Sequence, residues 1–122
     1  MALVLVVDDE EPIRDILREA LENAGHTVLT ANDGREALRL YHAQQPDVVI
    51  TDIVMPRRSG IDLVLELSRL TPRPTVIAIS GLTGKAFLDA AREAHVARTF
   101  VKPFDVTVVA QTVTELARTP RS

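Results

Sequence analysis

The chain has 122 residues, a length that fits one domain. Hydrophobic residues make up 46% and aromatics only 3%, so a core can form and must be aliphatic, built from Leu, Val, Ile and Ala. The net charge of −3 and the absence of cysteine exclude a basic nucleic-acid face, a polybasic membrane patch, a disulfide framework and a thiolate zinc site.

The apolar runs are strand-sized, far short of a membrane span, and no charged leader precedes a signal-type apolar region. A soluble cytoplasmic protein is the expectation. Leu3–Val7 is a continuous aliphatic stretch, the pattern of a strand buried on both faces. Ile13, Ile16, Leu17, Ala20, Leu21 and Ala24 then recur at helical spacing, with Pro12 suited to the first turn and Gly25 to a left-handed cap. Thr27–Ala31 reads as a second strand. Asp33 reads as an N-cap, with Glu36 as its capping-box partner, for a helix that turns Ala37, Leu38 and Tyr41 inward and stops before Pro46.

A third strand is expected over 47–52. Ser59 and Asp62 mark the start of a helix through Val64, Leu65 and Leu67, and Thr71-Pro-Arg-Pro74 is a connector. The fourth strand is expected over 75–79, a fourth helix over about 83–94, and the fifth strand over Arg98–Val101. Asp105 caps a last helix with Val108, Val109, Thr112, Val113 and Leu116 on one face. Residues 1–118 make the domain and 119–122 a frayed tail. Strands alternating with helices, without hairpin signals, predict an α/β, doubly wound (βα)₅ fold with a five-stranded parallel sheet. The order 2-1-3-4-5 is filled completely by five such units and sets strand one beside strand three.

Four apolar runs end on polar residues that can handle phosphate: Leu3–Val7 on Asp8-Asp9, 48–50 on Thr51-Asp52, 76–79 on Ser80, and Phe100-Val101 on Lys102. In a parallel sheet these ends meet along one edge, where open α/β sheets bind ligands. Two carboxylates at ~4 Å repel by about 4 kcal/mol at an effective dielectric of 20, so three gathered there call for a cation. Hard oxygen ligands favour Mg²⁺, and no His or Cys in these turns supports zinc. Asp52 has the chemistry of a nucleophile toward phosphorus, Lys102 that of a point charge on a phosphate oxygen, and Ser80 that of a hydrogen-bond donor to one. Singly, each residue fits an ordinary turn, cap or surface role; it is the set of four strand ends that points to function.

That set resembles the receiver domain of two-component response regulators over essentially the whole chain. The carrying segments are Val6-Val7-Asp8-Asp9-Glu10, Asp52-Ile-Val-Met55-Pro56-Arg-Arg-Ser-Gly60, Ile79-Ser80-Gly81 and Val101-Lys102-Pro103-Phe104. Receiver domains are flavodoxin-like with this strand order, so topology and resemblance are not independent expectations. The resemblance implies that Asp52 is the phosphoacceptor and that Asp8 and Asp9 hold Mg²⁺ with Asp52 and the backbone carbonyl of Val54. It implies that Lys102 contacts the phosphoryl oxygen, that Ser80 is the switch hydroxyl, and that the Lys102–Pro103 bond is cis. The aromatic that receiver domains usually carry three residues before this lysine is replaced by Thr99, with Phe100 following on the opposite strand face.

The function so implied is a phosphorylation-activated signalling switch rather than an enzyme acting on other molecules. The phosphodonor is a sensor histidine kinase or a histidine phosphotransfer protein. A downstream protein would read the surface of the 83–94 helix, fifth strand and last helix, with the chain as monomer or phosphorylation-dependent dimer. A stand-alone phosphorelay shuttle and the regulatory domain of a larger regulator are alternative outputs. An unphosphorylated interaction module is disfavoured by the intact acid set. A phosphohydrolase is disfavoured by Val54, where a second Asp is typical, and a nucleotide-binding fold by the glycine-free first turn.

Overall fold

Alternation along each strand divides the core in two, because successive side chains leave a strand on opposite faces. The computed structural model of the chain describes residues 1–53, 60–81, 89 and 92–117. Strands β1 (Leu3–Val7), β2 (Thr27–Ala31), β3 (Val48–Asp52), β4 (Thr75–Ser80) and β5 (Arg98–Val101) form one sheet in the order β2-β1-β3-β4-β5. All four pairings are parallel. Helices α1 (Glu11–Asn23), α2 (Gly34–Gln44), α3 (Gly60–Ser68) and α4 (Val106–Ala117) complete the described elements. Most of the helix expected over 83–94 lies outside the described residues, as do Ser59 and the expected tail at 119–122.

One sheet face, with Leu5, Val7, Val49, Val76 and Ala78, packs on Ala37 and Tyr41 of α2 and Leu63, Val64 and Leu67 of α3. The other, with Val4, Val6, Val48, Ile50, Ile77 and Ile79, packs on Leu17 and Leu21 of α1 and Val109, Ala110 and Val113 of α4. β3 is central, and all of its residues are buried. The helical stripes are narrower than their periodicity suggests. Ile16, Leu65 and Val108, expected inward, are exposed, whereas Leu63 and Ala110 are buried. A helix resting on a flat sheet covers only the residues at the bottom of its arc, so the flanks of an apolar stripe stay in water.

Local signals place the helix ends as expected. Pro12 sits in the first turn of α1, and Gly25 adopts the left-handed region at φ 95° just beyond its end. Asp33 caps α2 by accepting from the Glu36 backbone N–H at 2.9 Å. The reciprocal bond from Glu36 runs to the Asn32 N–H at 2.9 Å, one residue earlier than a capping box requires. Asp105 accepts from the Thr107 N–H at 2.8 Å at the head of α4.

One tie between distant segments has no sequence signal. His26, buried in the α1–β2 turn, accepts from the Ala2 N–H through Nδ1 at 3.1 Å. Its Nε2 lies 3.0 Å from Thr114 Oγ1, whose hydroxyl donates to the Ala110 carbonyl at 3.2 Å. Thr114 therefore accepts from Nε2–H, and the ring is the neutral tautomer protonated there. Burial, and next the positive chain terminus, hold the His26 pKa below the usual imidazole value. Between the folded and unfolded pKa values the unfolded chain binds more protons, so stability falls as pH drops through about 6.5. Denaturant unfolding followed from pH 8 to 5 is expected to show this loss, and His26→Gln to remove that component of the slope.

Candidate functional site

The register brings the strand ends level: Val7 pairs with Thr51, Asp52 with Ile79, and Ser80 with Val101. Asp8 extends β1 by donating its N–H to the Ala31 carbonyl at 3.2 Å, and its side chain is only 1% exposed. Asp52 closes β3 at 5% exposure. Lys102 follows β5, its N–H donating to the Ser80 carbonyl at 2.6 Å, and the Lys102–Pro103 bond is cis.

The Lys102 ammonium is shared. Nζ donates to Asp52 Oδ2 at 2.8 Å and to Asp8 Oδ2 at 3.1 Å. Asp8 Oδ1 accepts from the Glu10 N–H at 2.9 Å, which turns the chain into α1. Asp9 is exposed at the rim, and one carboxylate oxygen from each of Asp8, Asp9 and Asp52 lies within 4.8 Å of the others. Burial, the largest influence, raises the Asp8 pKa above the ordinary carboxylate value despite the Glu10 bond and Lys102. Burial also presses the Lys102 pKa down, but its bond to Asp52 and the Asp8 charge outweigh this and leave it raised. The two directions agree physically: the ammonium faces two anions, while Asp8 has half a cation and another carboxylate nearby.

Three carboxylates facing one ammonium leave an excess of negative charge on a set of hard oxygen donors. That donor set fits a small divalent cation such as Mg²⁺, held by Asp8, Asp9 and Asp52. Of the residues singled out in sequence, the fold thus gathers Asp8, Asp9, Asp52 and Lys102. Ser80 reaches the same edge, fully buried, but its hydroxyl donates to the Gly81 carbonyl at 3.1 Å. Val54 lies outside the described residues. Thr99 pairs with Ala78 on the α2–α3 side of the sheet, and Phe100 packs on the α1–α4 side. One contact was not anticipated: Arg14 Nη1 donates to the Asp8 carbonyl at 2.6 Å. Nothing in the amphipathic pattern of α1 sets Arg14 apart from its neighbours.

The response regulator receiver domain family matches residues 4–114. The chain belongs to that family. It is 33% identical over 116 residues to the chemotaxis protein CheY of Thermotoga maritima, covering 94% of this chain and 97% of that protein. It is 42% identical over 101 residues to a probable transcriptional regulator, ycf27, of Guillardia theta, covering 83% of this chain but 39% of that protein. A receiver domain protein of Clostridium thermocellum superimposes with a TM-score of 0.90 at 31% identity, over 97% of this chain and 95% of that one. The sheet is thus the flavodoxin-like sheet of receiver domains, and a receiver domain is a regulatory phosphoacceptor of two-component signalling rather than a conventional enzyme. Among the described residues no helix is long and apolar enough to cross a membrane.

The raised Asp8 pKa carries a stability consequence. A carboxyl that holds its proton more tightly when folded stabilises the fold at low pH, and that contribution is lost as pH rises through the folded value. At neutral pH, Asp8→Asn is therefore expected to raise the stability of the metal-free receiver domain in denaturant unfolding. Mg²⁺ at a hundredfold excess over its Kd should stabilise the unmodified chain by about 2.7 kcal/mol and the Asn variant far less.

Proposed function

We infer that this receiver domain is a phosphorylation-controlled switch in which Asp52 accepts a phosphoryl group from a phosphohistidine. The supporting observation is the Lys102 ammonium bridging Asp52 and Asp8, with Asp9 beside them. A carboxylate oxygen of Asp52 attacks phosphorus in line, the P–N bond to the donor imidazole breaks, and its electron pair returns to the ring. The product is a mixed anhydride on Asp52. Lys102, already on the Asp52 carboxylate, follows the charge outward onto a phosphoryl oxygen. Asp8, Asp9 and Asp52, with the Val54 carbonyl that the family resemblance implies, would hold Mg²⁺, which when bound would supply the remaining offset of negative charge. Positioning and electrostatics carry most of such a transfer, which suits a site built on the rigid ends of buried strands.

The donor is a sensor histidine kinase or a histidine phosphotransfer protein. An apolar slot of about 410 Å³ is lined by Ile13, Ile16, Gly81, Pro103, Phe104 and Val106, with Lys102, the partner of Asp52, also in its lining. A donor helix carrying the phosphohistidine would rest there while its imidazole reaches Asp52.

After transfer, the Ser80 hydroxyl exchanges the Gly81 carbonyl for a phosphoryl oxygen. That bond exists only in the modified state and so biases a two-state equilibrium. The surface of β5 and α4, with the segment expected to be helical over 83–94, then changes its preference for a protein partner, either within a phosphorelay or within a larger regulator. Hydrolysis of the anhydride resets the switch.

Intact-mass measurement after incubation with Mg²⁺ and a small acyl phosphate should show one phosphoryl adduct. The adduct should be absent in Asp52→Asn and without metal, and should form about a hundredfold more slowly in Lys102→Met. An unmodified wild type that still binds Mg²⁺ would mark a pure interaction module, and steady release of phosphate from varied esters would mark a hydrolase.

A further inference from the structure

Arg14 is half-buried in the first turn of α1, where its own N–H donates to the Glu10 carbonyl at 3.1 Å. Its guanidinium reaches back six residues to the Asp8 carbonyl at 2.6 Å. With that bond every polar group of Asp8 is engaged: the N–H on Ala31, the carbonyl on Arg14, one carboxylate oxygen on Glu10 and the other on Lys102. The Asp8 carbonyl belongs to the peptide plane from which Asp9 departs. Asp9 is exposed and, among the described residues, has no hydrogen-bond or ion-pair partner of its own. Its aim toward the other two carboxylates therefore depends on how firmly that peptide plane is held.

We propose that Arg14 is a positioning residue for the divalent-cation site: by clamping the Asp8 carbonyl it fixes the Asp8–Asp9 turn so that both carboxylates face Asp52. This rests on the magnesium site described above. Groups that orient metal ligands from outside the coordination sphere typically change affinity 10- to 100-fold when removed. The sign of the effect separates this role from a charge effect. Removing a positive side chain beside an acidic site should tighten cation binding by simple electrostatics, whereas loosening the turn should weaken it.

The test is calorimetric titration of the metal-free chain with Mg²⁺ alone, for wild type, Arg14→Met and Arg18→Met, with thermal unfolding of each without metal. Arg18 lies on the same helix, pairs with Asp15 at 3.2 Å in solvent, and makes no contact with Asp8, so its variant removes the same charge without touching the turn. Arg14→Met is expected to weaken Mg²⁺ binding about tenfold while its metal-free melting stays near wild type, and Arg18→Met to bind as well as wild type or slightly better. Should the Met variant fail to fold, Arg14→Gln is read in its place with the same expectation. Equal or tighter binding after loss of Arg14, or a fall in melting temperature without a change in affinity, overturns the proposal. A wild type that takes up no Mg²⁺ overturns the metal site along with it.

Discussion

A single ammonium held between two buried carboxylates is the constraint around which this domain is arranged. Lys102 bonds Asp52 at 2.8 Å and Asp8 at 3.1 Å, and the three side chains come from the ends of β5, β3 and β1. The acids are 94 and 50 residues from the lysine in sequence, so only the strand order can bring them together. Burying charge is costly unless it is paired and hydrogen-bonded, and here one cation serves two anions. The aliphatic strands behind them supply the rigidity that keeps the three groups in place against their mutual strain.

That imbalance leaves a donor set that fits a further cation, as the proposed transfer of a phosphoryl group to Asp52 requires. An acid cluster satisfied by its own lysines would have no reason to bind either. The cost is confined to the carboxyl-terminal edge of the sheet. At the amino-terminal edge the His26 clamp, with neutral partners only, joins β1 to α4 through Ala2 and Thr114. One edge of the same sheet thus gathers charge, and the other is tied by a neutral clamp.

Much of this was legible in the sequence, for identifiable reasons. Continuous aliphatic runs such as Leu3–Val7 have no polar face to expose, so they announce a parallel sheet covered on both sides. Once the sheet is parallel, Asp8, Asp52, Ser80 and Lys102 fall at one edge by their place at the strand ends. What remained hidden depends on partners that periodicity cannot name. His26 meets Ala2 and Thr114, 24 and 88 residues away, with no motif around any of them. Arg14 sits on a helix rich in charge, and only the path of the turn shows that it faces Asp8. The exposure of Ile16, Leu65 and Val108 reflects the curvature of a helix on a sheet, which spacing alone does not encode. A second cis bond, at Thr71–Pro72, also went unmarked, since neither proline of that connector stands out.

The arrangement of β5 has a mechanical corollary. Ser80 and its register partner Val101 share a sheet face with Thr99, while Phe100 packs on the α1–α4 side, the reverse face. Along β5, the described neighbours of Ser80 on that face are therefore the methyl-bearing side chains of Val101 and Thr99. Small groups slide past one another with little repacking, so in the proposed switch a signal leaving this edge would travel as a shift of backbone and loop rather than as the swing of one bulky side chain.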